Sequence, residues 1–275
     1  GLPIPANAQF SLTAVDDPYH YASATELSLF RRPLPATNLG FLTTVMWDGR
    51  ETAAPFVPPM DSGVDSADLD ASLTSQAKDA ILGHAQAAAA PGAAVLAQIV
   101  AFESSLNTAQ IRDDNAGYLN DDDAIGGPRV LANQRFYVGV NDALGADPTQ
   151  AAFDPAAMHL FDAWATQHGN GRNDRARASI QRGENLFNTV PIAITGVAGL
   201  NDVTGQPSIQ GHCSTCHDTP NVGNHSVGAP LDIGLTDASR RTPDMPLYTL
   251  TNNQTGASVQ TTDPGLALRT GKWAD

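Results

Sequence analysis

The sequence predicts a mainly α fold in two lobes, with long loops and one short β-hairpin, on three observations. Apolar residues return at three- and four-residue steps over 65–84, 93–106 and 174–187, the period of helices that bury one face. Nineteen prolines and 24 glycines among 275 residues cut those stretches apart. The Gly/Asn-rich run Gly169 to Asn173 then sets a boundary, giving a helical domain over 1–172 and a second domain over 173–275. A chain of this length is itself expected to hold about two domains.

Residues 1–40 carry Pro3, Pro5, Pro18, Pro33 and Pro35 with little periodicity, so an extended, loop-rich lead-in is expected. His20 falls within it, between two tyrosines. Phe41 to Glu51 follows, and Pro55, Pro58 and Pro59 mark a linker. From Asp65 the pattern predicts a helix with Leu69, Leu73, Ala77, Ala80 and Ile81 on one face and Asp65 and Ser66 as caps. It is expected to run through His84 into an alanine run and to break at Pro91-Gly92. A second helix, Ala93 to Leu106, carries Val95, Leu96, Ile99, Val100, Phe102 and Leu106.

The acidic stretch Asp113 to Asp123 reads as a solvated loop, because Ala124 stands where an EF-hand loop needs its closing glutamate. Arg129 to Val140 is expected to be helical. Asp154-Pro155, an aspartate cap with proline in the first turn, predicts a helix through Met158, Leu160, Phe161 and Trp164, with His159 and His168 near its surface. The next helix starts at Asp174 and carries Ile180, Leu186 and Phe187. Beyond residue 217, Leu247–Leu250 and Ala257–Thr261 flank Asn252–Gly256, a hairpin pattern.

Both cysteines of the chain stand in Cys213-Ser214-Thr215-Cys216-His217. Two thiols three positions apart, followed at once by an imidazole, form the attachment pattern of a c-type haem. On one short helical turn the sulfurs of Cys213 and Cys216 can reach the vinyl groups at one porphyrin edge. His217 then falls beneath the ring as the proximal iron ligand. The lobes are therefore expected to have a cytochrome c-type helical fold. Two other readings stay open. A redox dithiol would normally follow a strand in a βαβ unit, and no such unit is visible. Zinc could draw on His212, Cys213, Cys216, His217 and His225, although ligands adjacent in sequence rarely converge on one tetrahedral ion.

A net charge of −14 argues against nucleic acid and against electrostatic attachment to anionic lipid. It suits a small basic redox partner. No apolar run reaches the roughly 18 residues of a membrane span. Covalent haem is attached outside the cytoplasmic membrane, so the motif implies a periplasmic or secreted protein whose signal peptide has been removed.

Three segments together resemble the bacterial di-haem cytochrome c peroxidase family, which includes the MauG-like proteins. Arg31-Arg32-Pro33 followed by Trp47-Asp48-Gly49-Arg50 resembles a segment of that family's N-terminal haem domain. Arg182-Gly183-Glu184, Leu186-Phe187 and the Cys213–His217 motif resemble the opening of its C-terminal domain. Pro220-Asn221-Val222-Gly223, Asp232-Ile233-Gly234, Thr262-Asp263-Pro264-Gly265 and Thr270 to Asp275 resemble the loops that follow that haem.

The resemblance implies a peroxidase-type oxidoreductase that takes electrons from a soluble donor, such as a small cytochrome or copper protein, and reduces hydrogen peroxide. It makes Cys213 and Cys216 the thioether anchors of haem c and His217 the proximal ligand. Trp47 becomes an electron relay between two haems, and His20 a ligand of a second haem. Gln76-Ala77 resembles the glutamine-alanine pair near the peroxide pocket. The acidic residue expected about ten positions later is replaced by the neighbourhood of His84 and Gln86, so His84 is the candidate acid/base. Met245, the one methionine after the motif, is the candidate sixth ligand, because His225 lies too near His217 in sequence to reach the opposite haem face.

The family also carries a Cys-x-x-Cys-His upstream of the Trp-Asp-Gly-Arg segment, and a C-terminal tail that supplies ligands to the second haem and part of a calcium site. Neither is in this chain, which is therefore expected to be a portion of a longer protein or a shortened relative. The alternatives are a non-catalytic monohaem electron carrier, a haem-bearing structural module or, in the zinc reading, a zinc-stabilised binding domain.

Overall fold

The structure, a computed structural model, describes residues 1–31, 34–42, 44–52, 66–134, 137, 139–145, 147–166, 169–217, 219 and 231–274, with backbone alone for 66–68. In chain order the elements are β1 (Leu2–Pro3), β2 (Phe10–Asp16), β3 (Glu26–Leu27), α1 (Ser66–Gly83), α2 (Ala93–Ser105), β4 (Arg112–Asp113), β5 (Gly117–Tyr118), α3 (Pro128–Leu131), α4 (Arg172–Thr189), β6 (Ile192–Ile194), α5 (Asn201–Thr204), β7 (Ile209–Gly211), β8 (Leu247–Asn252), β9 (Ser258–Thr261) and α6 (Ala267–Thr270). Short 3-10 turns punctuate them, among them Asp162–Thr166 and Cys213–Thr215.

Helix accounts for 30% and strand for 14%, in six helices and four small sheets among the described residues. This corrects the expected mainly α, cytochrome c-type helical fold: the chain is a mixture of short helices, small antiparallel sheets and long loops. Two compact units form. One comprises Gly1–Pro35, Thr44–Thr52 and Asp232–Asp275, and the other Ala36–Thr43 and Ala53–Leu231. Position 172/173, read from sequence as the boundary, falls at the first turn of α4 inside the second unit.

The first unit is built on the sheet β2-β8-β9. The hairpin expected around Asn252–Gly256 is present. Asn252 Oδ1 accepts the Gln254 and Thr255 N–H groups, and Gly256 takes φ +72°, which suits glycine. What the lead-in reading missed is β2. Phe10, Leu12 and Ala14 alternate with polar residues, and the strand pairs antiparallel with β8 from Phe10↔Asn252 to Asp16↔Leu247, with a register shift between Leu12 and Ala14. The core gathers Phe10, Leu27, Tyr248, Leu250, Ala267 and Leu268. Tyr248 is fully buried because its hydroxyl donates to the Ser28 carbonyl at 2.6 Å and accepts the Ser28 N–H at 2.9 Å.

In the second unit α1 and α2 pack together, burying Leu69, Leu73 and Ala77 against Leu96 and Val100. Asp65 and the side chain of Ser66 lie outside the described residues. The helix stops at Gly83, short of the alanine run, where the His84 and Ala85 N–H groups both turn onto the Ala80 carbonyl and Gln86 takes φ +51°. Of the helix expected over Arg129–Val140 the described residues show α3, and residues 135, 136 and 138 lie outside them. The Asn133 amide caps the Arg129 carbonyl, and the Asn133 and Gln134 N–H groups tighten into three-residue turns.

The helix expected from Asp154 to Trp164 does not form. Asp154 does cap the Ala156 N–H at 2.8 Å, so the start signal acts locally. Beyond it, side chains of α4 take the backbone groups that helix propagation would use. Asn188 bonds both the Met158 N–H and carbonyl at 3.2 and 2.7 Å, and Glu184 accepts the Phe161 N–H. The Leu160 carbonyl meanwhile accepts from Ile125. The acidic stretch is solvated as expected at Asp114, Asp122 and Asp123, and two of its carboxylates also hold a buried cation. Arg177, buried on α4, pairs with Asp121 and Asp122, donates to the Ala116 carbonyl at 2.8 Å and lies 5.2 Å from the centre of the Trp164 ring.

Candidate functional site

The chain arrives at the cysteine motif from β7, which pairs with β6 as Ile192↔Gly211, Ala193↔Gln210 and Ile194↔Ile209. Position 211 is crowded: a Cβ there would stand 2.7 Å from Ile194 Cδ1 and 2.8 Å from Thr215 Oγ1, so those side chains would have to shift. The turn is then closed reciprocally. The His212 N–H donates to Thr215 Oγ1 at 2.9 Å, and the Thr215 N–H donates to the His212 carbonyl at 3.1 Å.

One helical turn follows, with the Cys216 and His217 N–H groups both donating to the Cys213 carbonyl, at 3.3 and 3.1 Å. Ser214 and Thr215 point inward, Ser214 donating to the Pro155 carbonyl. Cys213 and Cys216 are free and half-buried, and His217 is exposed. The division follows from the turn: the two residues between the cysteines anchor it, leaving the cysteines and histidine on its other side.

The His217 ring lies 6.2 Å, centre to centre and tilted by 59°, from Phe187 on α4. Phe187 also lines a cleft of about 170 Å³ with Met158, Leu160, Phe161, Ile180 and Glu184. A second cavity, of about 270 Å³, opens beside Gly211, His212 and Thr215, walled by Leu144, Phe153 and Leu200. The donor set of this turn is the one a c-type haem would take. The cysteines and histidine share one turn, and the histidine stands against an aromatic beside an apolar cleft.

The rival readings fare differently. Burial pushes the Cys216 thiol up. Among the described residues no three His, Cys, Asp or Glu side chains group as metal ligands. His225 lies outside the described residues, as do His168, Arg32, Pro33 and Pro220-Asn221-Val222-Gly223.

Trp47 belongs to the first unit, where a buried ion network fixes the Trp-Asp-Gly-Arg segment. Asp48 accepts from Arg31 at 2.6 Å and from Arg50 at 3.0 Å, while Arg31 also grips Asp263. Burial works against the Asp48 charge, yet Arg31 and Arg50 hold its carboxyl below the usual range. Gly49, at φ +68°, receives the Arg269 guanidinium on its carbonyl. Trp47 itself is 42% exposed, with Nε1 4.0 Å from the Cβ position of Gly265. It is not a core aromatic. Two segments far apart in sequence, 47–50 and 262–265, thus meet around Arg31.

The other candidates are dispersed. His20 is exposed at φ +57° in a loop held by Asp17, and Met245 is half-buried in a turn whose carbonyl accepts from Arg241, both in the first unit. Gln76 is half-buried on α1 and His84 is exposed just past its end, both in the second unit.

Sequence reasoning named Glu184 only as part of a resembling segment and passed over Asn188 and Arg177. Glu184 and Asn188 stand four and eight residues after Ile180, polar groups on an apolar helical stripe, and that pattern is the signal that would have found them. Burial pushes the Glu184 carboxyl up to about 7, and the nearby Asp162 adds to the rise, against hydrogen bonds from the Phe161 and Leu160 N–H groups and the influence of His159. For His159, burial acts to lower the pKa, but its bonds to Asp162 and Asp154 raise it overall. No protein-family model, curated protein or solved structure matches the chain.

Proposed function

We propose that the chain is a c-type cytochrome of the di-haem cytochrome c peroxidase kind, moving electrons through one covalently bound haem toward the reduction of hydrogen peroxide. The observation that carries this reading is the single turn from Cys213 to His217, with two free thiols and an exposed imidazole set beside Phe187 and an apolar cleft. Haem, when bound, supplies a one-electron carrier.

The roles of the chain's own residues follow from their positions. Cys213 and Cys216 would hold the group through their sulfurs, and the capped turn fixes the spacing between them. His217 would ligate the group through an imidazole nitrogen, with the Phe187 ring packed beside it. Met158, Leu160, Phe161 and Ile180 keep water from one side of the site. Trp47, held by the Asp48 network and open to solvent, would serve as the electron relay. The charge of −14 favours a soluble, basic donor such as a small cytochrome, meeting the chain outside the cytoplasmic membrane. No helix among the described residues is long and apolar enough to cross a membrane.

One observation favours a non-catalytic electron carrier as the second reading: His84, the candidate acid/base, is exposed beyond the end of α1. The pyridine haemochrome spectrum and intact mass of the purified chain test the haem. Peroxide turnover with a reduced cytochrome donor separates enzyme from carrier. A colourless chain with two free thiols ends both readings.

A further inference from the structure

The cleft beside Phe187 contains one ionisable side chain that the attachment turn leaves without a role. Glu184 precedes Phe187 by three residues on α4, so the two share a helical face, and both line the same cleft. Glu184 as a whole residue is 8% exposed, and the Phe161 N–H donates to its two carboxyl oxygens at 3.1 and 3.0 Å. Through that contact Glu184 holds the 158–161 segment, the cleft's other wall, in a non-helical path.

Charged and titratable groups lie on three elements near it, two of these groups acting on its carboxyl. On the 154–162 segment, Asp162 opposes its ionisation and His159 favours it, His159 being itself bonded to Asp162 at 2.9 Å and to Asp154 at 3.3 Å. On α4, Arg177 is paired with Asp121 and Asp122. The attachment turn, packed on the same helix, brings the titratable His212, Cys216 and His217.

We propose that Glu184 is a proton-binding positioning residue: its carboxyl grips the Phe161 amide, and one proton gained or lost there changes the surroundings of the group that His217 ligates. The inference rests on the haem reading of Cys213–His217. Burial brings the Glu184 equilibrium to about 7, so the exchange falls near neutrality. A carboxylate there favours the more positive, oxidised iron, so the reduction potential falls as pH rises through that value.

The test compares the intact wild-type chain with Glu184→Gln and His159→Asn from about pH 5 to about pH 9. In wild type the Phe161 amide proton shift is expected to titrate once, centred near 7, and the haem potential to fall over the same range. Both dependences vanish in Glu184→Gln and survive in His159→Asn. A Phe161 amide flat in wild type, or a potential still pH-dependent in Glu184→Gln, overturns the inference while the haem reading stands. Absence of a pyridine haemochrome overturns the haem reading itself, and the inference with it.

Discussion

Arg31 and Asp263, 232 residues apart, meet in a bidentate pair: Nε donates to one carboxylate oxygen at 2.6 Å and Nη2 to the other at 2.9 Å. The third arm of the same guanidinium reaches Asp48 at 2.6 Å. One side chain thus ties the lead-in, the Trp-Asp-Gly-Arg segment and the C-terminal loop together within the first unit. Side-chain exposures of 17%, 5% and 8% for Arg31, Asp48 and Asp263 place the network largely out of water.

Removing one member leaves a buried charge without its partner. Arg31→Ala is therefore expected to cost roughly 3–5 kcal/mol, measured as a fall in the urea midpoint. Arg31→Lys is expected to recover little, because an ammonium cannot bond both Asp263 oxygens in the fork geometry. An unchanged midpoint in Arg31→Ala would show that the network is incidental.

The acid side of stability follows from Asp48. Its carboxyl is held below the ordinary value of 3.8. The folded state therefore binds the proton more weakly than the unfolded chain, and the contribution is complete above that value and lost as pH falls through the folded pKa. Wild type and Asp48→Asn are expected to converge in stability as the pH drops below about 4. A difference that stays constant down to that range contradicts this sign.

Glu184 has the opposite sign. Its pKa rises from 4.5 to about 7 on folding, so its contribution is complete below 4.5, declines between those values and levels off above about 7. Relative to Glu184→Gln, the wild type is expected to lose about 3 kcal/mol between acidic and mildly alkaline buffer. Denaturant midpoints of the two proteins at both ends of the range check it, and parallel curves refute it.

Gly211 separates assembly of the attachment turn from its chemistry. Gly211→Ala puts a methyl against Ile194 Cδ1 and Thr215 Oγ1, and is expected to destabilise the chain by about 1–3 kcal/mol and to lower haem incorporation. Haem absorbance per unit of protein measures the second effect, and full incorporation in this variant would mean that the turn tolerates displacement.

Cys213→Ser and Cys216→Ser each leave one sulfur to form a thioether. Haem staining after denaturing electrophoresis is expected to weaken in each and to disappear in the double variant. His217→Ala is expected to retain stain while the native spectrum changes. Stain that persists in the double variant would break the attachment reading.

Elements whose backbone bonds are satisfied within a few residues were legible in the sequence: α1, α2 and α4 from their period, the β8–β9 hairpin from its Asn/Gly turn, and the Cys213–His217 turn from its spacing. The start at Asp154-Pro155 was equally plain and misled, because the cap is local whereas propagation depends on whether anything else claims the next N–H groups. Here Glu184 and Asn188 do, and no pattern within 154–164 announces them. The same reason explains β2, whose alternation matters only once β8, more than 230 residues away, offers it an edge.

By itself the sequence determined the short helical period, the turn chemistry, the overall negative charge and the grouping of both thiols with one imidazole. Only the tertiary structure decided that the two chain ends form one unit, that Arg31 joins Asp48 to Asp263, and that a carboxyl sits in the cleft beside Phe187. Short-range rules act through neighbours along the backbone. Ion networks, strand pairing and desolvated acids depend on which distant groups meet, and that is settled by how the whole chain shares out its buried surface and its backbone hydrogen bonds.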